Sequence, residues 1–321
     1  MTRVRLGAVG YLNARPHVFG LDRTPRFGLR FDVPSQCAAL LHDDEVDVGL
    51  IPSIEYLRGS YAIVPDIAIA SRGPVSSVML YTTRPMAEVR SIALDTSSRT
   101  SVALTRVLCA REFHIQPVFE PHGPDLESML AHNDAALIIG DQALFADTSQ
   151  LTVHRRQLTA LHEPSTSTLH PSTEGQRSAD GQRSTDGQRS TDGQRSTDGQ
   201  RSTVNCQLPI EKIDLGEVWT RMTGLPFVYA FWAGRPEVLT PDDVLALQQA
   251  RDAGVERIDE ISRQYFPGAP ARQEVGARYL RDNIKYHFGP EERAGLELFY
   301  RYAAEAHVVA STRKLRLFEQ A

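Results

Sequence analysis

The sequence is poor in cysteine and has no long hydrophobic run. Its three cysteines, Cys37, Cys109 and Cys206, are odd in number and far apart, which fits neither a disulfide framework nor a zinc-binding pair. We therefore expect buried or incidental thiols. No apolar stretch approaches the roughly 20 residues of a membrane-spanning helix, and the N-terminal apolar run is too short for a signal peptide. These absences predict a soluble, cytoplasmic protein that contacts no membrane.

Several familiar catalytic and binding motifs are also missing. Neither GxxxxGK[ST] nor GxGxxG occurs, and there is no GxSxG elbow and no HExxH, because Thr166 stands where the second histidine would be. The acid run from His42 to Asp47 is better explained by a solvated turn than by a metal site. A net charge of −5 without a long basic run argues against nucleic acid as a partner. We expect no cofactor and no metal.

The overall composition is that of a globular protein. The chain has 321 residues, of which 41% are hydrophobic and 23% are charged, enough for one large or two medium domains. From Gly175 to Asp198, however, it consists of four tandem hexapeptides, followed by a broken copy ending at Thr203. These copies contain no large apolar side chain for a shared core, so we expect a disordered low-complexity insert over about 164–205.

On both sides of this insert, short β-branched or apolar runs alternate with helical patterns, which indicates an α/β protein with a mainly parallel sheet. A helix is expected from Thr100 to Phe113, another from Pro241 to Phe266, and a third from Pro290 to about Val309. The candidate strands are Val4–Val9, Leu29–Val33, Val46–Ile51, Val75–Thr82, Ile92–Asp95, Ala135–Ile139 and Phe227–Ala233.

Polar residues cluster after several of these strands, where open α/β sheets collect ligands. The clusters are Tyr11-Leu12-Asn13-Ala14, Ile51-Pro52-Ser53, Gly73-Pro74-Val75-Ser76-Ser77, Asp95 to Ser101, and Gly140-Asp141. The segment Ser97 to Ser101 opens a helix, so it could bind a carboxylate, or Ser98 or Thr100 could simply cap that helix. Taken alone, Asn13 is more typical of a turn and Ser77 of a packed hydroxyl.

The same clusters, in the same order, resemble the chorismate dehydratases of the futalosine route to menaquinone. The resemblance covers roughly residues 3–145 and 211–310. The matching strings are Gly10 to Ala14, Val46 to Tyr56, Gly73 to Val78, Ser97 to Ser101, Leu137 to Asp141, Asp214 to Trp219 and Thr223 to Val228.

This resemblance implies a two-lobed fold of the periplasmic binding protein type II kind, with mixed sheets flanked by helices. One lobe would comprise 1–83 and 232–321, and the other 84–231 including the insert, with crossover strands near Val75–Thr82 and Phe227–Ala233. The implied activity is a hydro-lyase reaction that removes water from chorismate to give 3-[(1-carboxyvinyl)oxy]benzoate. An enzyme of this kind acts mainly by placing its substrate.

The resemblance also assigns site residues. Asn13 and Ser77 match the motif asparagine and serine and are expected to be catalytic, Asn13 by orienting the substrate or holding the C4 hydroxyl and Ser77 by handing it a proton. A substrate carboxylate could serve as the base. The expected substrate-binding residues are Tyr11, Leu12, Pro52, Ser53, Gly73, Ser76, Ser98, Arg99, Thr100, Ser101, Gly140 and Asp141.

Two departures and two alternatives stay open. Arg15 and Arg72 flank the catalytic motifs without a counterpart in the family pattern, and surface charge is the simpler interpretation. The chain could instead be the related dihydroxynaphthoate synthase, although its Ser-Pro-Cys-Pro-Asn-Asp-like opening is missing. It could also be a non-catalytic protein that binds an aromatic carboxylate. The sequence leaves the oligomeric state open.

Overall fold

The structure is a computed structural model that describes residues 3–149 and 210–319. The hexapeptide repeats and Cys206 lie outside these residues. The strands are β1 Val4–Val9, β2 Phe27–Asp32, β3 Val48–Pro52, β4 Ala62–Ile63, β5 Ile69–Ser71, β6 Val78–Thr82, β7 Ser91–Asp95, β8 Val118–His122, β9 Ala135–Ile139, β10 Glu211–Asp214 and β11 Phe227–Gly234. The α-helices are α1 Pro34–His42, α2 Arg99–Arg111, α3 Leu126–His132, α4 Gly140–Leu144, α5 Leu215–Thr223, α6 Pro241–Glu256, α7 Ile258–Tyr265, α8 Pro270–Arg278 and α9 Pro290–Glu305.

The strands form two separate sheets. The first has the order β2-β1-β3-β11-β4, with β5 also paired to β11, and the second has the order β10-β6-β9-β7-β8. Parallel pairing joins β1 to β2 and β3 in the first sheet, and β7 to β8 and β9 in the second. This confirms the mixed α/β class with helices flanking two sheets.

The alternation of strands and helices predicts a mainly parallel sheet, but several strand pairs are antiparallel. Strand β11 runs antiparallel to β3, β4 and β5, and β6 runs antiparallel to β9 and β10. All eight residues of β11 are buried, which is the pattern of a central strand covered on both faces. Sheet membership changes between Ser71 and Val78 and again between Asp214 and Phe227. The division into lobes at 83 and 231 stays a prediction.

The helix boundaries follow their capping signals. Thr240 and Asp243 form a reciprocal capping box at the start of α6. The expected continuous helix to Phe266 is wrong, because α6 ends at Glu256 and α7 begins at Ile258. The predicted helix from Pro290 likewise ends at Glu305 rather than Val309, and His307 just beyond it has a φ of 55°.

A glycine in α6 positions the segment that follows β1. A Cβ on Gly254 would lie 2.3 Å from the carbonyl oxygen of Pro16, so only glycine permits this approach. Pro16 belongs to the 3₁₀ helix Leu12–Val18, which also carries Asn13. The close contact with α6 therefore holds the Asn13 turn against the body of the protein.

Candidate functional site

The clusters that follow the strands meet at one cavity between the two sheets. The expected site residues that line it are Tyr11, Asn13, Pro52, Ser77, Ser98, Ser101 and Gly140. The other lining residues are Val9, Pro34, Ile69, Val75, Val78, Ile139, Tyr229 and Ala230. The cavity has a volume of about 40 Å³, room for a few water molecules. A ring-sized ligand is larger than this volume, so its binding requires the cavity walls to move.

The lining is uncharged and mostly apolar, with a few hydroxyl and amide side chains among the apolar ones. Among the described residues that line the cavity there is no Lys, Arg, His, Asp or Glu. Burial raises the pKa of Tyr11, and it raises the pKa of Tyr229 further. Since asparagine and serine do not titrate near neutrality, no side chain on this surface exchanges a proton with solvent at neutral pH. The cavity supplies hydrogen bonds and apolar contact rather than a charged base.

Asn13 and Ser77 are joined through a tyrosine behind the cavity wall. The Tyr279 hydroxyl donates a hydrogen bond of 2.7 Å to Ser77 Oγ. Burial raises the pKa of Tyr279, while hydrogen bonds with Ser77 and Asn13 act in the opposite direction. Tyr279 begins a single π-helical turn, Tyr279–Asn283, a distortion often found at functional sites. Tyr279 is thus a buried hydrogen-bonding partner of Ser77 that also interacts with the Asn13 side chain.

The Ser77 loop is fastened by Asp214, the N-cap of α5. Its Oδ1 accepts hydrogen bonds from the backbone N–H groups of Val75, Gly216 and Glu217, at 3.1, 2.9 and 3.0 Å. Its Oδ2 accepts from the N–H of Ser76 at 2.6 Å. Burial raises the pKa of Asp214, and the four N–H donors oppose this shift. One carboxylate therefore connects α5 to the loop that ends at Ser77.

Gly140 ties the Ser77 loop to the Tyr11 ring. Its N–H donates to the carbonyl oxygen of Ser77 at 2.8 Å. Its φ is +66°, and a Cβ there would lie 3.0 Å from Cε2 of Tyr11. Glycine is favoured at this position both by its positive φ and by its closeness to the ring.

The start of α2 borders the cavity through Ser98 and Ser101. Ser98 Oγ accepts from the N–H of Ser101 at 3.4 Å, so Ser98 caps the helix and also lines the cavity. Thr100 does not cap: it is fully buried and accepts from the N–H of Ile54 at 3.1 Å. Ser53 is buried as well and donates to the carbonyl oxygen of Val228 at 2.8 Å. Of the two interpretations of this helix start, capping by Ser98 is confirmed, and binding of a carboxylate stays a prediction.

Arg99 points away from the cavity, contrary to the expectation that it binds a carboxylate there. Its Nη1 donates to Oε2 of the buried Glu55 at 2.7 Å, and Arg58 and His42 contact the same oxygen at 3.2 and 2.8 Å. Although burial raises the pKa of Glu55, these three neighbours outweigh it and the pKa is lowered. Arg99 is directed outward because the buried carboxylate needs a counter-charge.

Arg99 instead lines an arginine groove on the other side of the α2 start. We define this groove by Glu55, Arg58, Arg99, Arg106 and Val308, and its volume is about 450 Å³. It is larger than the cavity between the sheets and more open. Apart from Arg99, however, no expected site residue lines it. We therefore centre the candidate site on the cavity.

The remaining expected residues surround the cavity without lining it. The N–H of Leu12 donates to Asp141 Oδ1 at 3.2 Å, and the hydroxyl of Tyr265 donates to the same carboxylate. Burial raises the pKa of Asp141. The N–H of Gly73 donates to Thr220 Oγ1 at 2.8 Å. Leu12, Gly73 and Ser76 thus shape the site through their backbone N–H groups, and Asp141 does so through its side-chain carboxylate.

Arg15 and Arg72 have different surroundings. Arg72 is exposed, pairs with Glu291 and donates to the carbonyl oxygen of Gly224 at 3.2 Å. Arg15 is half-buried, with its guanidinium 4.6 Å from the Phe31 ring centre and 5.0 Å from that of Tyr265. Arg72 is therefore a surface charge, whereas the half-buried Arg15 is packed against two aromatic rings.

Sequence reasoning missed two residues that organise the site. Tyr279 lies in the helical C-terminal third, and no local pattern marks its hydroxyl as buried. Asp214 stands in one of the family-like strings, and its position before a helix is a capping signal that could have shown its role.

The described residues form no metal site, and their two cysteines are free. Within 3–149 and 210–319, no group of three His, Cys, Asp or Glu side chains is arranged to hold a metal ion. Cys37 and Cys109 are buried free thiols, as expected, and burial raises the pKa of each to about 12. None of the helices in these ranges has the length and hydropathy needed to cross a bilayer.

Comparison with known proteins decides the family. The sequence profile of the menaquinone biosynthesis family matches residues 4–169 and 207–305, most of the chain. The chain belongs to the menaquinone biosynthesis family. A curated relative in Thermus thermophilus, a chorismate dehydratase, is 28% identical over 300 residues, covering 89% of this chain and 94% of the relative.

Solved structures support the fold of this menaquinone biosynthesis family member. A structural genomics target from Archaeoglobus fulgidus aligns with a TM-score of 0.61 at 12% identity, covering 96% of this chain and 98% of that protein. The alkanesulfonate-binding protein SsuA of Xanthomonas axonopodis aligns at 0.55 with 11% identity, covering 100% and 99%. A Candida albicans protein described as having the generic periplasmic binding protein fold aligns at 0.51 with 9% identity, covering 100% and 99%. At these identities the similarity establishes the fold.

Proposed function

We propose that this chain is a chorismate dehydratase, a cytoplasmic hydro-lyase that converts chorismate to 3-[(1-carboxyvinyl)oxy]benzoate without a cofactor. Family membership and the similarity to the Thermus thermophilus chorismate dehydratase support the substrate. The observation that carries the proposal is that Asn13 and Ser77, far apart in sequence, line one cavity with uncharged walls.

The reaction needs one proton transfer and one departing group. A base removes the proton at ring carbon C3, and the electron pair forms the C3–C4 double bond that completes the aromatic ring. The C4–O bond breaks, and the departing hydroxyl takes up the proton that the base removed from C3 and leaves as water, which regenerates the base. Aromatisation makes the overall step favourable, so the enzyme's contribution is placement and modest acid-base assistance.

The cavity suits a substrate that brings its own base. Chorismate carries two carboxylates, and no charged side chain among the described lining residues would neutralise either one. One carboxylate would accept hydrogen bonds at the start of α2, from Ser98 and Ser101, where the helix dipole favours an anion. The other would remain basic enough to take the C3 proton.

Asn13 and Ser77 would act on the C4 hydroxyl. The Asn13 amide would orient this group by hydrogen bonding, since it neither gains nor loses a proton near neutral pH. The Ser77 hydroxyl would donate a hydrogen bond to the departing oxygen as charge develops on it. Water formed in the cavity would leave together with the aromatic product.

A turnover assay on purified protein tests the proposal. Wild-type protein mixed with chorismate should yield a product lighter by one water, followed by mass spectrometry and by aromatic absorbance. Asn13→Ala and Ser77→Ala should each lower kcat by about 10²- to 10³-fold while the protein stays folded. Ser262→Ala is the control: it removes a buried serine that donates to the Gln273 carbonyl oxygen at 2.7 Å, so kcat should be unchanged.

Other results would favour the alternatives. Calorimetric binding of chorismate without conversion would indicate a binding protein. Activity only on a cyclic futalosine derivative would indicate the related synthase. Near-wild-type turnover by both folded variants, Asn13→Ala and Ser77→Ala, would remove these residues from the mechanism.

A further inference from the structure

Tyr279 is a buried residue next to Ser77 that has no role in the proposed reaction so far. Its side chain is 2% exposed, and its hydroxyl donates to Ser77 Oγ at 2.7 Å. The Asn13 side chain interacts with the same hydroxyl. Tyr279 does not line the cavity among the residues described, so it reaches a bound ring only through these two neighbours.

The direction of this hydrogen bond fixes the direction of the next one. A serine hydroxyl has one hydrogen, which rotates to suit its surroundings, and two acceptor lone pairs. When Tyr279 occupies one lone pair, the Ser77 hydrogen must point elsewhere, and the cavity is the side on which Ser77 is open to a ligand. Ser77 is thereby prepared as a donor.

We propose that Tyr279 is a positioning residue that aims the Ser77 hydroxyl at the departing C4 oxygen of the substrate. This inference rests on the proposed chorismate dehydratase activity and extends it to a residue outside the cavity wall. Burial raises the pKa of Tyr279, so its hydroxyl stays protonated and keeps donating at any ordinary assay pH. Each donor in the chain also strengthens the next by polarisation.

The chain offers a matched control in Tyr286. This residue is also buried, 4% exposed, but its hydroxyl has no hydrogen-bonding partner among the described residues. Tyr279→Phe and Tyr286→Phe remove the same atom from two similarly buried rings. Only the first removal should affect Ser77.

The test compares kcat and KM for chorismate in both variants. Tyr279→Phe should lower kcat by about 10- to 100-fold and leave KM within about twofold, because the lost interaction acts on the departing group. Tyr286→Phe should match wild type in both constants. Thermal melting of each variant checks that it is folded. A Tyr279→Phe kcat within about twofold of wild type would overturn the proposal.

A double-variant comparison distinguishes positioning from direct action. If Tyr279 works only through Ser77, then Ser77→Ala and Ser77→Ala/Tyr279→Phe should have the same kcat. A further drop equal to that of the single Tyr279→Phe change would refute a role through Ser77. If wild-type protein does not dehydrate chorismate at all, the proposed function fails. If wild-type protein is active and Tyr279→Phe has an unchanged kcat, only the inference about Tyr279 fails and the proposed function stands.

Discussion

Replacing Asp214 by alanine should both destabilise the protein and slow the reaction. The carboxylate accepts four backbone N–H groups, and two of these bonds, from Val75 and Gly216, are buried. A hydrogen bond to a charged group contributes roughly 1.5–3 kcal/mol, and a buried donor left unsatisfied costs about as much. The Ser76 and Glu217 donors are only partly buried and can turn to water.

These contributions set the expected size of the effect. The two buried donors account for about 3–6 kcal/mol, and removing a carboxylate that burial disfavours offsets part of this loss. We therefore expect Asp214→Ala to lower the free energy of unfolding by about 2–5 kcal/mol. The kcat should fall as well, since the loop that ends at Ser77 loses its attachment to α5.

Two further variants sharpen the test. Asp214→Asn keeps an oxygen for the Val75, Gly216 and Glu217 donors but brings an NH₂ group against the Ser76 N–H, which should cost about 1–3 kcal/mol. Asp125→Ala removes an exposed N-cap whose side chain, among the described residues, accepts only from the Ser128 N–H, at 3.2 Å. It should cost about 1 kcal/mol without changing kcat.

Urea denaturation and steady-state kinetics on the same preparations supply the measurements. The reasoning is refuted if Asp214→Ala is no less stable than Asp125→Ala, or if it is strongly destabilised yet keeps full turnover.

The remaining predictions concern Glu55 and Gly140. The pKa of Glu55 is lowered in the fold. The difference in free energy of unfolding between wild type and Glu55→Gln should therefore be constant above the unfolded pKa of about 4.3 and shrink at lower pH. Urea denaturation across pH checks this, and a difference that grows on acidification would contradict it. Gly140→Ala places a Cβ against the Tyr11 ring at a positive φ. Gly224→Ala also places a Cβ at a positive φ, +72°, but there no atom of the described residues lies within 4 Å of it. Both variants should lose about 1 kcal/mol, but only Gly140→Ala should lose activity; equal turnover in the two would argue against the ring contact.

The sequence predicted the elements best where the signal was local. The strands at Val4–Val9 and Ala135–Ile139 lie at the predicted residues, because each is a compact apolar run with clear ends. The short strands Ala62–Ile63 and Ile69–Ser71 were missed because two or three residues carry no periodicity. The separation into two sheets depends on pairing between distant segments, which local patterns do not encode.

The candidate site divides in the same way. Residues next to strand ends, such as Asn13 and Ser98, were expected at the site from their position, and they line the cavity. Arg99 was expected there too, but the buried Glu55 carboxylate draws it to the opposite side of α2. Tyr279 was out of reach, since only the folded chain brings residue 279 within 2.7 Å of Ser77.

The most direct measurement of where chorismate binds is a crystal structure of Ser77→Ala with chorismate, since the slowed variant should retain its substrate. The account predicts the ring between the two sheets, its C4 hydroxyl within hydrogen-bonding distance of Asn13 and one carboxylate at the start of α2. Chorismate bound instead in the arginine groove beside Arg58 and Arg106, with the cavity between the sheets closed, would contradict it.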